Sequence, residues 1–345
     1  MAEAKKRTIK KTETAEKPSD GSNYFTKPAS TLEFINSGCE SLNQALGGGW
    51  AIGRASNIIG DNSTGKTLLA IEACANFHRD YPDGKIVYIE AEAAFDQSYA
   101  EALGMPVNEI DFRDNVRTVE DLYTVIDEET KDKKTYILIV VDSLDALSSE
   151  AEGKRKIDEA SFGGEKSKKL GELFRRQVSS MEDSNTHLMV ISQVRENIGV
   201  TFGAKYKRSG GKALDFYMSQ IIMLAHTGQI KKTKKGVERT IGVDIKAKVT
   251  KNKVGIPFRE AEFPIYFGYG VDDIAGNCRY LQAVGSYNTS MEEIPKTKKD
   301  LDALLRDVAT WDDDDYFDFQ RRAKQAVIDT WPKVEQEFVP TRRKY

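Results

Sequence analysis

The segment GDNSTGKT, residues 60–67, has the residue types and the spacing needed to hold phosphate. It fits the template G-x-x-x-x-G-K-[ST], with Gly60, Gly65, Lys66 and Thr67 at the fixed positions. Glycine lets backbone N–H groups close around phosphate oxygens, lysine adds a positive charge, and a threonine hydroxyl can ligate Mg²⁺. A strand-like run precedes the segment and a helix-like run follows it, so we expect a nucleoside triphosphate site and not a chance glycine turn. The residues assigned to this phosphate loop are Gly60, Asp61, Asn62, Ser63, Thr64, Gly65, Lys66 and Thr67.

Acidic residues end two further apolar runs. Asp142 closes YILIVVDS, where a carboxylate beside the phosphate loop would hold the Mg²⁺ shell, with Ser143 assisting through a water; a simple turn cap is the alternative. Glu90 and Glu92 close KIVYIEAE at a spacing of two, which places both on one side of a strand. A carboxylate there can deprotonate a water that attacks the γ-phosphate. The spacing alone does not choose between the two.

Strands and helices that would position these groups alternate along the chain. Apolar, β-rich runs predict strands in ASNIIG, KIVYIEAE, TYILIVVDS, THLMVISQV and SQIIMLAHT. Helices are predicted near residues 66–79, 97–103, 119–129, 165–183 and 212–219. Near-continuous apolar strands separated by helices indicate an α/β fold with a mainly parallel sheet covered on both faces.

Composition bounds the class of protein. The chain has 345 residues, of which 30% are charged, and its formal net charge of -3 does not indicate nucleic-acid binding as a whole. Cys39, Cys74 and Cys278 are scattered, so we expect small buried side chains and neither a disulfide framework nor a zinc site. No apolar run reaches the length of a membrane span, about 18 residues. We therefore predict a cytoplasmic protein with no membrane partner.

The texture of the chain divides it into three parts. Residues 1–30 are polar and basic, and predict a flexible tail that is either a weak DNA or partner arm or simply solvated. Residues 31–274 carry the alternating strands and helices together with the phosphate loop, and predict an ATPase core. Residues 275–345 are acidic and mainly helical, and predict a small C-terminal region.

Six segments together resemble the bacterial RecA recombinase family: GDNSTGKT, EAEAAFDQSYAEALG, ILIVVDS, VISQVRENIGVTFG, SGGKALDFYMS and VTKNKVGIPFREAEF. The similarity runs in the same order from about residue 35 to residue 270. It implies a RecA-type ATPase core that uses ATP and Mg²⁺ and self-associates into helical filaments on single-stranded DNA. The implied activity is pairing and strand exchange with homologous duplex DNA.

The resemblance also implies roles for individual residues. Glu92 matches the family's catalytic glutamate, Asp96 and Tyr99 its adenine contacts, and Gln193 its γ-phosphate sensor. Lys251 and Lys253 match lysines that reach ATP across the subunit interface. From the residues alone, a core tyrosine, a buried structural glutamine and a solvated strand edge are the alternatives.

A basic loop, residues 195–212, follows Gln193 and has no acidic residue from 199 to 212. Cations interleaved with aromatics suit single-stranded DNA, because charges track the backbone while rings stack on bases; a solvated loop is the alternative. The residues assigned to DNA binding are Arg195, Phe202, Lys205, Lys207, Arg208, Gly210, Gly211 and Lys212.

A second loop, residues 150–169, corresponds to the family's other DNA loop and contributes cations that acids nearly balance. These cations, with two more on the following helix, are Lys154, Arg155, Lys156, Arg175 and Arg176.

Two departures from the family are visible. Lys212 stands where RecA proteins commonly carry Asn, and the chain beyond about residue 275 shows no clear match to the usual C-terminal domain. Together with the basic tail, these features are typical of a phage-encoded relative, which would act in the cytoplasm of its bacterial host. Other functions of the same fold are a hexameric helicase or a nucleotide-gated mediator, and a small-molecule kinase is a weaker option.

Overall fold

A computed structural model of the chain describes residues 32–155, 164–196, 206–208, 211–287 and 290–342, with the backbone alone at 195–196, 206–208 and 211–213. The predicted tail, residues 1–30, lies outside the described residues. In the described ranges no helix is both long enough and apolar enough to span a membrane.

The secondary structure follows the predicted alternation. The strands are β1 (Phe34–Ile35), β2 (Trp50–Ala51), β3 (Ala55–Gly60), β4 (Lys85–Glu90), β5 (Asp111–Arg113), β6 (Ile137–Asp142), β7 (Thr186–Glu196), β8 (Tyr206–Arg208), β9 (Gln220–Lys234), β10 (Val237–Asn252), β11 (Glu260–Tyr266) and β12 (Gly270–Val271). The helices are α1 (Glu40–Leu46), α2 (Lys66–Asp80), α3 (Gln97–Ala102), α4 (Val119–Glu129), α5 (Glu150–Lys154), α6 (Glu165–Asp183), α7 (Gly211–Tyr217), α8 (Asp273–Ala283), α9 (Lys298–Val308) and α10 (Asp313–Glu337).

The central sheet is mixed, with a parallel half that contains the predicted strands. Its order is β12-β11-β10-β9-β3-β7-β6-β4-β5, and β8 pairs with β7 outside this path. Strands β9, β3, β7, β6, β4 and β5 run parallel to their neighbours, whereas β10, β11 and β12 are antiparallel. The carboxyl ends of β3, β4, β6 and β7 therefore lie along one edge of the sheet.

The parallel strands are buried on both faces, which explains their continuous apolar runs. In β4, Ile86 and Tyr88 join the cluster that packs under α2, whereas Val87 and Ile89 join the cluster under α4 and α6. Every residue of β3 and of β6 is buried. The predicted α/β fold, a mainly parallel sheet covered by helices, is confirmed.

A long hairpin extends the sheet beyond the predicted strands. The run SQIIMLAHT predicts a strand that ends near residue 227, but β9 continues to Lys234. Strand β10 supplies backbone partners as far as Val237, and a turn at Lys235 and Gly236, with φ of 49° and 79°, closes the hairpin. Backbone pairing sustains this exposed, polar part of the strand without an apolar face, so its sequence gives no strand signal.

The C-terminal helices pack onto the core. Residues from Glu33 onward form one compact unit, and α8, α9 and α10 enclose a cluster that includes Cys278, Leu301 and Phe319. Arg259 of the segment between β10 and β11 pairs with Glu335 of α10, and Trp331 stacks on Tyr280 at 4.8 Å. Cys39, Cys74 and Cys278 are all buried, as predicted.

Candidate functional site

The phosphate loop lies at the carboxyl edge of the sheet, between β3 and α2. Gly65 has φ of +84° and stands immediately before the first residue of α2. A Cβ on Gly60 would lie 2.4 Å from the hydroxyl oxygen of Thr64, and a Cβ on Gly65 would lie 2.5 Å from Ile265. Both positions therefore require glycine, and the first turn of α2 presents its unpaired N–H groups to the loop.

Hydrogen bonds within the loop converge on the carbonyl of Asp61. It accepts from Lys66 Nζ at 2.7 Å and from Thr64 Oγ1 at 2.8 Å. Burial lowers the pKa of Lys66, and the charges of Asp142, Glu92, Asp61 and Asp145 oppose that shift. The lysine thus lies among carboxylates at the mouth of the loop, within reach of a phosphate in the loop.

Asp142 ends β6 directly beside this loop. Its Oδ2 accepts from Thr67 Oγ1 at 2.8 Å and from the Tyr88 hydroxyl at 3.0 Å. Burial raises the pKa of Asp142, and the charges of Glu92 and Glu90 raise it further. The Asp142–Ser143 peptide bond is cis. The two residues predicted to hold Mg²⁺ are therefore in direct contact.

Glu90 and Glu92 contact different groups, although their spacing suggests one shared face. β4 ends at Glu90, so strand alternation no longer governs Glu92. Glu90 is 6% exposed and accepts the backbone N–H groups of residues 92, 93 and 94 at 2.8–3.1 Å. It therefore fixes the turn that carries Glu92.

Glu92 joins the nucleotide site to β7. Its Oε1 accepts from the Ser143 hydroxyl and, at 3.3 Å, from Nε2 of Gln193. Gln193 lies at the carboxyl end of the parallel part of β7, paired with Gly60 of β3. Its backbone N–H donates to Oδ2 of Asp145 at 2.7 Å. The structure thus brings together Glu92, Gln193, Lys66, Thr67 and Asp142.

Two residues of this cluster have no assignment from the sequence. Tyr88 lies inside an apolar strand, and its role as a donor to Asp142 leaves no pattern in the sequence. Asp145 follows Asp142 by three residues in DSLDAL, and an acid just past the carboxyl edge of a buried strand is the signal that points to it.

Asp96 immediately precedes α3, and Tyr99 lies within the helix. Asp96 Oδ1 accepts the backbone N–H of Tyr99 at 3.0 Å and caps the helix. Tyr99 is half-buried against the core under α2, and burial, followed by the charge of Glu72, raises its pKa. Their adenine roles remain predictions.

Lys251 and Lys253 lie at the opposite edge of the sheet from the phosphate loop of their own chain. Asn252 pairs with Gln220, which pairs with Ser56 near the start of β3, whereas the loop follows Gly60 at its end. At about 3.3 Å per strand residue, this separates the two sites by roughly 13 Å along the strand. Both lysines donate to carbonyls at the end of α7: Lys251 to Asp215 and Phe216, and Lys253 to Phe216 at 3.3 Å.

The basic loop begins as a continuation of β7. Strand β8 pairs antiparallel with the end of β7, so that Arg195 opposes Lys207 and Val194 opposes Arg208. Phe202, Lys205 and Gly210 lie outside the described residues, and Arg195, Lys207, Arg208 and Lys212 are described by backbone alone. Gly211 begins α7, one residue before the predicted helix start.

The second loop shows local ion pairs. Lys154 pairs with Glu150 at 3.0 Å in α5, and Lys156 lies outside the described residues. On α6, Arg176 pairs with Glu172 and lies over the ring of Tyr123 at 5.9 Å, and Arg175 is exposed. Intrahelical acids thus engage part of this basic set.

Comparison with known proteins identifies relatives. The family described as the RecA N-terminal domain matches residues 22–272. A protein named Protein RecA from Colwellia psychrerythraea is 31% identical over 300 residues, covering 80% of this chain and 84% of the relative. Another Protein RecA, from Delftia acidovorans, is 32% identical over 284 residues, covering 80% of this chain and 75% of the relative.

Proposed function

The chain belongs to the RecA family, and we propose on that premise that it is an ATP-dependent recombination protein. It binds single-stranded DNA as a filament, hydrolyses ATP in response to that DNA, and exchanges strands with a homologous duplex. The observation that carries this proposal is the contact between Glu92 and Gln193. It links a carboxylate beside the phosphate loop to the strand that leads into the basic loop.

Hydrolysis is proposed to use Glu92 as the general base. The described hydrogen bonds of the Glu92 carboxylate both use Oε1, and within the described part of the chain Oε2 accepts none. Ser143 and Gln193 therefore hold the carboxylate in one orientation while Oε2 is available to a water. Lys66 would exchange the carbonyl of Asp61 for a phosphate oxygen and stabilise the charge that develops there.

The residues around Thr67 fit a magnesium ion. Mg²⁺ prefers oxygen ligands and is usually held by one or two protein side chains together with substrate phosphates. The hydroxyl of Thr67 and the carboxylate of Asp142 supply such oxygens 2.8 Å apart. Burial raises the pKa of Asp142, and the charges of nearby carboxylates raise it further. When bound, the ion would neutralise negative charge on the phosphates.

Nucleotide occupancy is proposed to reach DNA through Gln193. This side chain contacts Glu92 within the site, and the backbone enters the basic loop two residues later. A γ-phosphate that engages the amide changes the position of the end of β7, where Arg195 and Lys207 are paired. The cations of the loop would then neutralise DNA phosphates.

Lys251 and Lys253 are proposed to complete the site of a neighbouring subunit. Their position near the start of β3 places them away from the phosphate loop of their own chain. Cations that arrive from a neighbour make hydrolysis depend on assembly, because they stabilise transition-state charge only at an interface.

A strand-exchange assay tests the proposal. Homologous single-stranded and duplex DNA are incubated with the protein and ATP, without ATP, or with a Lys66→Ala variant. We expect joint molecules and exchanged product only with ATP and the parent protein. Absence of exchange, together with ATP-dependent unwinding of a forked duplex, would instead support a helicase. Nucleotide-gated DNA binding with no turnover would support a mediator.

A further inference from the structure

A one-turn 3₁₀ helix, Leu144–Ala146, follows the strand end that carries Asp142 and Ser143. The carboxylate of Asp145 points back to β7, where Oδ2 accepts the backbone N–H of Gln193 at 2.7 Å. A bond from a charged acceptor to a backbone N–H is among the stronger kinds of hydrogen bond. It fixes the main chain of Gln193 independently of what the amide side chain contacts.

The same turn contacts the last part of the second loop, where α6 begins. Lys166, in the first turn of α6, donates from Nζ to the carbonyl of Leu144 at 2.7 Å and to that of Asp145 at 3.1 Å. Residues 144–146 therefore contact β7 just before the basic loop and the first turn of α6 within the second loop. One short turn joins the strand end that carries Asp142 to both predicted DNA loops.

The other carboxylate oxygen of Asp145 is not matched by a donor. Oδ1 is buried, and among the described residues no side chain or backbone N–H donates to it. A buried acceptor without a donor is costly in protein interiors, where such groups are nearly always satisfied. The carboxylate is therefore retained at a cost, which favours a role for it beyond packing.

Asp145 is also connected to the candidate nucleotide site through Gln193. The residue whose backbone N–H it accepts at 2.7 Å donates from Nε2 to Oε1 of Glu92 at 3.3 Å. A change at Glu92 that moves this amide therefore acts on the residue that Asp145 holds.

We propose that Asp145 is a positioning residue for DNA-stimulated hydrolysis, an inference that rests on the proposed function. Its carboxylate holds the backbone of Gln193, which sets both the reach of the amide towards Glu92 and the direction in which the basic loop leaves the sheet. Without this bond, nucleotide and DNA still bind, but each affects the other less.

Two substitutions separate the hydrogen bond from the charge. Asp145→Ala removes both, whereas Asp145→Asn keeps an oxygen that can accept the N–H of Gln193. Asp132→Ala is the matched control, because Asp132 also accepts a backbone N–H, from Lys134 at 2.8 Å, but before β6 at the other edge of the sheet. Thermal melting and nucleotide binding establish that each variant is folded.

The measured quantities are the ratio of hydrolysis rates with and without single-stranded DNA, and the ratio of DNA dissociation constants without and with ATP. We expect both ratios to fall roughly 5- to 20-fold in Asp145→Ala, within the usual range of coupling between sites. Asp145→Asn should stay within about threefold of the parent, and Asp132→Ala should match it. Hydrogen exchange at the end of β7 should accelerate in Asp145→Ala alone.

The inference would be overturned if both ratios in Asp145→Ala equalled those of the parent. It would also be overturned if the ratios fell as far in Asp145→Asn as in Asp145→Ala, because the Asn variant retains the acceptor. If Asp145→Ala does not fold, the test is hydrogen exchange of the Gln193 N–H in Asp145→Asn. Protection equal to that of the parent supports the role of Asp145. Lost protection with both ratios unchanged overturns it. A parent protein whose hydrolysis does not respond to DNA would instead refute the proposed function.

Discussion

A carboxylate acts as a base only if an oxygen is available to the incoming water, and this condition separates Glu90 from Glu92. Both oxygens of Glu90 accept backbone N–H groups of the following turn. Both described hydrogen bonds of the Glu92 carboxylate use Oε1, and Oε2 accepts none among the described residues. Burial and hydrogen bonding thus give Glu90 a structural role, and this difference supports the proposed role of Glu92 as the base.

Glu92→Gln should bind ATP and Mg²⁺ but hydrolyse ATP more slowly by a factor on the order of 10² to 10⁴, because the base is lost while size and hydrogen bonding are kept. The phosphate loop, Thr67 and Asp142 are unchanged. With the γ-phosphate retained, release from single-stranded DNA should also slow. Steady-state hydrolysis and filament lifetime, measured on the same preparation, check both effects.

Two controls accompany this variant. Glu101→Gln changes an exposed carboxylate on α3 whose partner is Gln97, and should hydrolyse at the parental rate. Glu90→Gln replaces one of the oxygens that accept backbone N–H groups of the turn with an amide nitrogen. It should therefore lower the melting temperature, and its rate of hydrolysis should fall less than that of Glu92→Gln. A greater loss in Glu90→Gln, in a variant shown to be folded, would identify Glu90 as the base.

Glu72 predicts a dependence of stability on pH. Burial raises its pKa to about 7, the N–H of Val271 lowers it, Asp273 raises it and Arg79 lowers it. Because folding raises this pKa, the favourable contribution of Glu72 to the free energy of unfolding is complete below the unfolded pKa of 4.5. It is lost as pH rises through the folded pKa of about 7. As pH rises between these limits, the free energy of unfolding of Glu72→Gln should therefore increase relative to that of the parent by about 2–3 kcal/mol.

Urea unfolding of the parent and of Glu72→Gln at pH 5 and pH 8 measures this difference. The glutamine keeps an oxygen for the N–H of Val271, so the variants differ mainly in charge. A pH-independent difference for Glu72→Gln would show that Glu72 titrates alike in the folded and unfolded chains.

At the scale of elements, strand β7 joins the candidate nucleotide site to the loop predicted to bind DNA. Its parallel part pairs with β3 up to Gln193, and its last residues pair with β8. One continuous strand thus runs from the sheet core, past Glu92, to the cations of the basic loop. Backbone pairing places Arg195 opposite Lys207, although the two residues are distant in sequence.

Replacing Lys205, Lys207 and Arg208 with alanine should weaken single-strand binding without preventing ATP binding. Fewer counterions are released when fewer DNA phosphates are neutralised, so the slope of log affinity against log salt should flatten by roughly two to three units in total. Titrations at several salt concentrations measure the slope. The control replaces Lys131, Lys133 and Lys134, which are exposed before β6 at the opposite edge of the sheet. A slope equal to the parent's would place the DNA elsewhere.

The spacing of apolar residues along the sequence and the helix-forming runs were sufficient to predict the strands and helices around the site. The bounds of β3, α4 and α6 agree with the prediction, because buried parallel strands and amphipathic helices leave strong patterns. The β9–β10 hairpin depends on pairing between exposed polar residues, which leaves no such pattern. Similarly, the contact of Asp145 with Gln193 joins residues 48 positions apart, and no local rule contains it.

For the whole molecule, α7 connects two distant sites. The helix begins after β8, near the carboxyl edge of β7, and is followed by Ser219, whose N–H donates to Ala55 at the amino end of β3. Lys251 and Lys253 contact its last carbonyls, where cations also favour the negative end of the helix dipole. If these lysines reach a neighbour's nucleotide, as proposed, DNA near the start of α7 and ATP near its end would act on the same helix.

The variant with alanine at both Lys251 and Lys253 should bind nucleotide normally yet hydrolyse it poorly at saturating DNA. Its own phosphate loop is intact, and only the cations that it offers to a neighbour are missing. A Lys66→Ala variant has the opposite defect. Mixing the two creates interfaces at which an intact loop meets intact lysines, and turnover should partly recover there. Lys246→Ala with Lys248→Ala is the control, because these lysines lie on the same strand and pair with Glu260.

The extent of recovery is itself informative. If the lysines act in trans, turnover should depend on the mixing ratio and reach a maximum near equal amounts, because only mixed interfaces are complete. If they act within their own chain, each variant carries an incomplete site in every subunit, and mixing cannot restore one. Fluorescence transfer between labelled variants shows whether mixed filaments form. Co-assembly without recovered turnover would therefore refute the trans assignment, and would leave the bonds to Asp215 and Phe216 as the role of these lysines.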